Sequence, residues 1–253
     1  MVVTQLSYRL GVTVRRVVLP ALRRFCLLAP LTCVATPALA QTTITQPTAA
    51  RNSVREVWTT VSTTTDLTDR FRLNAEVVVR SEDGFDGVRQ LQLRGVVTTE
   101  VTDGLRIGLG YVRSENSPRG RPNSFENTPF PQVDWTIGKV LGGELSSRTR
   151  MEFRLRPDGR DTSYRLRQLV RFSLPLGPDL PKLRLSEEAF FELAETDGRD
   201  NAGYSASRLA AGLQFKLNHN LSIEPGYLAE IVRVRRGSDL TRHVLNLAIA
   251  TSF

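Results

Sequence analysis

From about residue 54 onward, apolar and polar side chains alternate with a period of two, in short segments parted by turn-forming residues. In 145–156, Leu145, Ser147, Thr149, Met151, Phe153 and Leu155 share one phase. Ser146, Arg148, Arg150, Glu152, Arg154 and Arg156 share the other. In 163–173, Tyr164, Leu166, Val170 and Phe172 oppose Arg165, Arg167 and Arg171. In 71–80, Phe71, Leu73, Ala75, Val77 and Val79 oppose Arg72, Asn74, Glu76 and Arg80. Successive side chains of a strand point to opposite faces, whereas a helix would scatter each of these sets around its circumference. Eleven segments read as strands: about 54–65, 70–80, 88–99, 105–113, 131–141, 144–156, 162–173, 182–193, 203–216, 221–234 and 241–253.

The segments are joined alternately by tight turns and longer polar loops. The tight turns are Asp66-Leu67-Thr68-Asp69, Thr102-Asp103-Gly104, Gly142-Gly143 and Leu217-Asn218-His219-Asn220. Asp-Gly and Gly-Gly supply the positive φ that two-residue hairpins require. The longer loops are 81–87, 114–129, 157–161, 195–201 and 235–240; the connection 175–181, with three prolines, is long for its place in the order. Most segments reach the roughly 9–11 residues that a tilted strand needs to cross a bilayer. Short turns on one side and longer loops on the other are the usual asymmetry of outer-membrane barrels.

The pattern therefore predicts an all-β protein with one domain, 54–253: a single antiparallel transmembrane β-barrel. Bacterial barrels usually hold an even number of strands. That parity favours about twelve, the twelfth coming from the Thr-rich leader 41–53, with ten as the alternative. A soluble barrel of the lipocalin kind would also alternate, but with its apolar face inward.

The first forty residues stand apart. Arg9, Arg15, Arg16, Arg23 and Arg24 occur there with no acidic residue, and the apolar run 25–31 and Ala38-Leu39-Ala40 follow. That order of basic, apolar and small-x-small regions predicts a signal peptide, 1–40, cleaved on export. Both cysteines, Cys26 and Cys33, fall inside it, so a disulfide or thiolate metal site is not expected in the mature chain. Removing five signal arginines from the 34 basic residues leaves 29 against 26 acidic ones, about +3 rather than +8. Nucleic-acid binding loses its compositional argument. After residue 41 no stretch of ~18 apolar residues could form a membrane-spanning helix. The expected location is the outer membrane of a Gram-negative cell.

Several short motifs occur in a characteristic order. They are Trp58, Arg150-Met151-Glu152-Phe153-Arg154, Arg165-Leu166-Arg167, Glu187-Glu188-Ala189-Phe190-Phe191, Ser207-Arg208-Leu209-Ala210-Ala211-Gly212-Leu213, and Leu221-Ser222-Ile223-Glu224-Pro225-Gly226-Tyr227-Leu228. This order resembles the bacterial outer-membrane β-barrel family catalogued as domain of unknown function 2490. The resemblance spans roughly 56–253 and implies a membrane barrel, without implying a reaction. Pro225 departs from the pattern, and its missing ladder donor predicts a bulge or a local gap.

The polar phase is the surface that could carry function. It forms a lumen charge ladder of Arg72, Arg94, Arg148, Arg150, Glu152, Arg154, Arg165, Arg167, Arg171, Glu188, Arg208 and Glu224. Arg80, Arg106, Arg156, Arg184, Glu76, Asp134, Glu192 and Glu230 share this phase. Charges buried in a narrow barrel need partners or water. One reading is a structural or ligand-binding barrel filled by ion pairs. The alternative is a narrow anion-preferring channel, because surplus guanidinium favours anions. A third is an outer-membrane lipid hydrolase, which needs a nucleophile beside a histidine. Only His219 and His243 are available, in a turn and at the start of the last strand. Ser238 and Asp239 read better as turn formers. No catalytic residue is assigned, no cofactor is expected, and no acidic or histidine cluster has metal spacing.

Gly108-Leu109-Gly110 lies within a strand, where its glycines allow close approach of another backbone. Trp135, Tyr111, Tyr164, Tyr227, Phe153, Phe172 and Phe191 fall on the outward phase, as interfacial or lipid-facing bulk. Phe253 closes the chain as a terminal aromatic, the expected signal to barrel-assembly machinery. Expected partners are that machinery, outer-membrane lipids and lipopolysaccharide, and an anionic solute; a monomer is expected.

Overall fold

The computed structural model describes residues 53–157, 162–196, 202–234 and 237–253. The predicted signal 1–40 and most of the leader 41–53 lie outside the described residues, as do parts of the loops 157–161, 195–201 and 235–240. The described chain forms eleven strands. They are β1 (Ser53–Asp66), β2 (Phe71–Ser81), β3 (Val88–Thr102), β4 (Leu105–Asn116), β5 (Ser124–Val140) and β6 (Gly143–Arg154). There follow β7 (Ser163–Pro175), β8 (Lys182–Glu192), β9 (Gly203–Lys216), β10 (Leu221–Val232) and β11 (Leu240–Ser252). Each pairs antiparallel with its chain neighbour, and β1 closes on β11 to complete a barrel.

That closing seam is parallel, in a continuous register from Ser53↔Thr241 to Thr64↔Ser252. Each hairpin reverses the chain, so an odd strand count brings the first and last strands together in the same direction. The barrel closes with eleven strands where parity favoured twelve. A contribution from the leader is not needed to satisfy the β1 edge, because β11 already occupies it.

The connections sort by rim. Those after β1, β3, β5, β7 and β9 have two to six residues, and those after β2, β4, β6, β8 and β10 have six to ten. We call these the turn side and the loop side. The turn between β5 and β6 is Leu141-Gly142 rather than Gly142-Gly143, since Gly143 already pairs with Val140. Both turn residues have positive φ, 49° and 79°. This is the backbone that a two-residue hairpin matched to strand twist requires, and glycine supplies one half of it without steric cost.

Two departures from the sequence reading come from proline. β5 begins at Ser124, well before the predicted 131, and so absorbs Pro129, which had read as loop, and carries Pro131 in its interior instead of at its start. Its ladder with β4 is continuous from Asn116↔Ser124 to Leu105↔Trp135. Its ladder with β6 starts only at Gln132↔Arg150, after an isolated Asn127↔Leu155 bridge. Both prolines fall in that gap, where a missing N–H breaks no ladder bond. Pro225 behaves alike: β10 pairs with β9 at Ile223↔Phe215 and resumes at Gly226↔Gly212. The expected irregularity is a gap without a register shift.

The polarity of the barrel is inverted relative to a soluble one. Val61, Val77, Leu93, Leu109, Val133, Leu209 and Leu245 are exposed on the outer surface. Tyr111, Tyr227 and Trp135 also lie exposed there. The buried interior instead holds Glu56, Arg150, Glu152, Arg167, Glu188 and Glu230. Two small apolar clusters accompany them: Trp58, Leu228 and Val244, and Val96, Val112 and Phe130.

Candidate functional site

The inward phase of each strand delivers its side chains to a belt across the middle of the barrel. Arg150 stands on β6 between two β5 neighbours. Its Nε and Nη2 both donate to Gln132 Oε1, at 3.0 and 2.5 Å. Its guanidinium carbon lies 4.1 Å from the centre of the Phe130 ring. Arg150 and Glu152 are each 2% exposed and Phe130 is 1% exposed. Gly110 on β4 makes this possible, since a Cβ there would collide with the Phe130 ring.

On β6 to β8 the charges interlock. Glu152 accepts from Arg165 Nε at 2.8 Å and from Arg167 Nη1 at 2.7 Å. Glu188 accepts from Arg148 Nη2 at 2.9 Å and from Arg167 through Nε and Nη2. It also lies 3.6 Å from Arg208 Nη1. Such a carboxylate is repaid for leaving water only because several donors surround it. Phe190 packs beneath Arg167 and Arg208, at 4.8 and 4.6 Å from their guanidinium carbons.

The belt continues through Trp58 on β1. Arg80 and Arg208 flank its ring at 4.0 and 5.0 Å. Its indole Nε1 donates to Glu56 Oε2 at 2.6 Å, and Arg89 Nη2 donates to the same oxygen at 2.9 Å. Arg242 pairs with both Glu56 and Glu230, and Arg208 Nε donates to Glu230 at 2.7 Å. On β2 and β3, Arg94 pairs with Glu76. Glu76 interacts electrostatically with Arg148 and Arg150 on β6, and Arg94 with Arg167 and Glu152. The charge network thus reaches from β2 and β3 to β6 and β7.

Vestibules open on the loop side and on the turn side of the belt. The loop-side one, about 680 Å³, has Arg154, Arg165, Glu192 and Glu230 among its walls. The turn-side one, about 480 Å³, has Arg171, Arg184, Glu188 and Glu224 among its walls. Arg80 and Arg208 line both.

Of the sequence-derived ladder, Arg94, Arg148, Arg150, Glu152, Arg165, Arg167, Glu188 and Arg208 come together in this network. Arg154 stands toward the loop side, with Glu126 at 3.0 Å and Glu192 at 3.5 Å. Arg72 stands apart at the turn-side rim, 2.6 Å from Asp66. Arg171 and Glu224 lie in the turn-side vestibule, Glu224 3.0 Å from Arg184. The sequence reading missed Glu56, Gln132 and the three aromatics Trp58, Phe130 and Phe190. The available signal was an aromatic on the charged phase of its strand: Phe190 lies between Glu188 and Glu192 at the two-residue period.

Among the described residues, neither histidine hydrogen-bonds to a nucleophile and an orienting acid. His243 Nδ1 and Tyr227 Oη are 2.5 Å apart on the exposed face, with stacked rings. No serine hydroxyl among the described residues hydrogen-bonds to His243. Asp239 instead accepts from the Val234 backbone N–H at 3.2 Å. His219 lies exposed in the β9–β10 turn.

Residues 55–241 match the family described as protein of unknown function (DUF2490). The chain belongs to the DUF2490 family. An uncharacterised protein of Methylorubrum extorquens is 33% identical over 175 residues, covering 68% of this chain and 77% of that protein. The DUF2490 match runs from the loop-side start of β1 to the start of β11. It covers most of the belt and of both vestibules of the DUF2490 barrel, while Arg242, Asn246, Ala248 and Ala250 on β11 lie beyond it.

Proposed function

We propose that this protein is an outer-membrane barrel, exported through its N-terminal signal, whose lumen is closed by the ion-pair belt. Its role on this reading is structural or ligand-binding rather than conductive. The observation that carries it is the near-complete burial of Arg150, Glu152 and Phe130 in mid-lumen. A conducting path needs a continuous column of water, and this buried cluster takes up part of the cross-section that such a column would need. The outward apolar surface supports a lipid environment, since each transmembrane strand presents alternate residues to lipid. With the short turns facing the periplasm, the longer loops face outward, toward lipopolysaccharide. Phe253 is exposed beside the turn-side rim, its N–H donating to Thr64 O at 2.9 Å. This leaves the aromatic ring open to barrel-assembly machinery.

The second reading, a narrow anion-preferring channel, draws on the surplus of arginine over glutamate in both vestibules. Planar-bilayer recording separates the two. The closed barrel gives no steady conductance from folded, heat-modifiable protein. Steady anion-preferring conductance in the wild type, with selectivity altered by combined Arg148→Ala, Arg150→Ala and Arg154→Ala, would establish the channel instead.

A further inference from the structure

The turn-side vestibule holds more positive charge than its own carboxylates neutralise. Seven arginines and three glutamates line it. The glutamates are already engaged: Glu76 by Arg94, Glu188 by Arg148 and Arg167, and Glu224 by Arg184. Arg171 is the residue left over. It lines the vestibule from β7, yet its side chain makes no hydrogen bond or ion pair among the described residues. Its electrostatic neighbours are two like charges, Arg184 and Arg148, and two carboxylates, Glu224 and Glu188, that those arginines already bind. A hydroxyl is at hand as well, since Ser186 pairs directly across from Arg171 and lines the cavity.

Guanidinium groups held together without counter-charge are unfavourable unless water or an anion offsets their repulsion. Planar N–H forks match the oxygens of phosphate and carboxylate, and a dianion answers several of them at once. The volume, about 480 Å³, lies in the range of small-ligand sites, so it admits a phosphate carried on a small polar body.

We propose that the turn-side vestibule is a binding site for a small phosphate-bearing solute, with Arg171 as its principal ligand and Arg184, Arg148 and Ser186 completing it. The proposal rests on the closed-barrel reading and names the ligand of that barrel. The strand phase points these groups into the lumen and away from the outer surface, which favours a soluble phosphate ester over a lipid headgroup.

The test is calorimetric titration of the full-length barrel in detergent with inorganic phosphate and with glycerol 3-phosphate. Glycerol and chloride at matched ionic strength serve as controls. Saturable binding of the phosphates, weakened at least tenfold in Arg171→Gln, is the expected result. Arg233→Gln, on the loop side, should retain wild-type binding. Wild-type protein that shows no saturable phosphate binding overturns the proposal, as does undiminished binding in Arg171→Gln. A second measurement does not depend on the variant folding: phosphate should slow phenylglyoxal modification of Arg171 in the wild type, read by mass spectrometry. Unchanged labelling also overturns it. Lysophosphatidic acid in the micelle competing where glycerol 3-phosphate does not would reassign the phosphate to a lipid. Bilayer conductance keeps the two claims apart: a silent barrel without phosphate binding removes only this inference, and a conducting one removes the closed-barrel reading.

Discussion

Arg167 and Glu188 face each other across β7 and β8 as a fork. Nη2 of the arginine donates to both carboxylate oxygens, at 2.8 and 2.9 Å, and Nε adds a third bond at 3.0 Å. Glu188 also serves Arg148, so one carboxylate holds two guanidinium groups by hydrogen bonds. Breaking a buried ion pair from one side is far more damaging than replacing both partners by apolar groups. Glu188→Gln should therefore lose about 3–5 kcal/mol of stability. The combined Arg167→Met and Glu188→Leu variant should lose less. Urea unfolding in detergent, followed by heat-modifiability on gels, measures both. Equal stability of the single variant and the wild type would remove the belt from the account of rigidity.

Gly110 and Phe130 are coupled by space. The Phe130 ring occupies the position that a side chain on residue 110 would need. Overpacking of a filled interior costs about 1–3 kcal/mol. Gly110→Ala should fall in that range, and the smaller ring-less Phe130→Leu should recover part of the loss in the double variant. A double-mutant cycle on chemical unfolding reads the coupling. Strict additivity would mean that the two side chains do not share the site.

Leu109 is 72% exposed on the outer face. In water, a charge there would be harmless. In a bilayer, Arg on the lipid face costs about 2–4 kcal/mol at the midplane and less near the interfaces. Leu109→Arg should therefore lower the folded fraction in lipid vesicles, while leaving inward Thr60→Ser nearly neutral. Equal folding of Leu109→Arg and wild type in vesicles would argue against lipid contact at this strand.

The two tryptophans report opposite faces. Trp58 is buried in the belt, and Trp135 is exposed outside. In a Trp135→Phe background, acrylamide and brominated detergent should quench little of the remaining fluorescence. In a Trp58→Phe background, brominated detergent should quench strongly. The reverse pattern would invert the assignment of faces.

The barrel was legible because charge and apolarity separate so cleanly by phase. Along β6, Arg148, Arg150 and Glu152 alternate with Thr149 and Met151, and no helical reading keeps these sets together. The inner residue set followed from the same phase. What did not follow was how far each lumen residue sits along the axis. That depends on stagger between strands, which is why Arg72 falls at a rim while Arg94 reaches the belt. The inward aromatics went unassigned for a related reason. Trp58 and Phe190 are apolar by type and sit on the polar phase, where alternation alone assigns a ring no role, whereas arginine stacking gives it a use in a charged interior. β5 was cut short because Pro129 and Pro131 are strand breakers only where both sides of the strand are paired.

Eleven is an odd number, and the parallel β1–β11 seam records it. The chain enters the barrel wall at Ser53 on the loop side and leaves it at Ser252 on the turn side. Across a lipid bilayer those rims open into different compartments. An epitope placed just before Ser53 and another placed after Phe253 would then answer to antibodies on opposite sides of one intact membrane, from a single unbroken polypeptide.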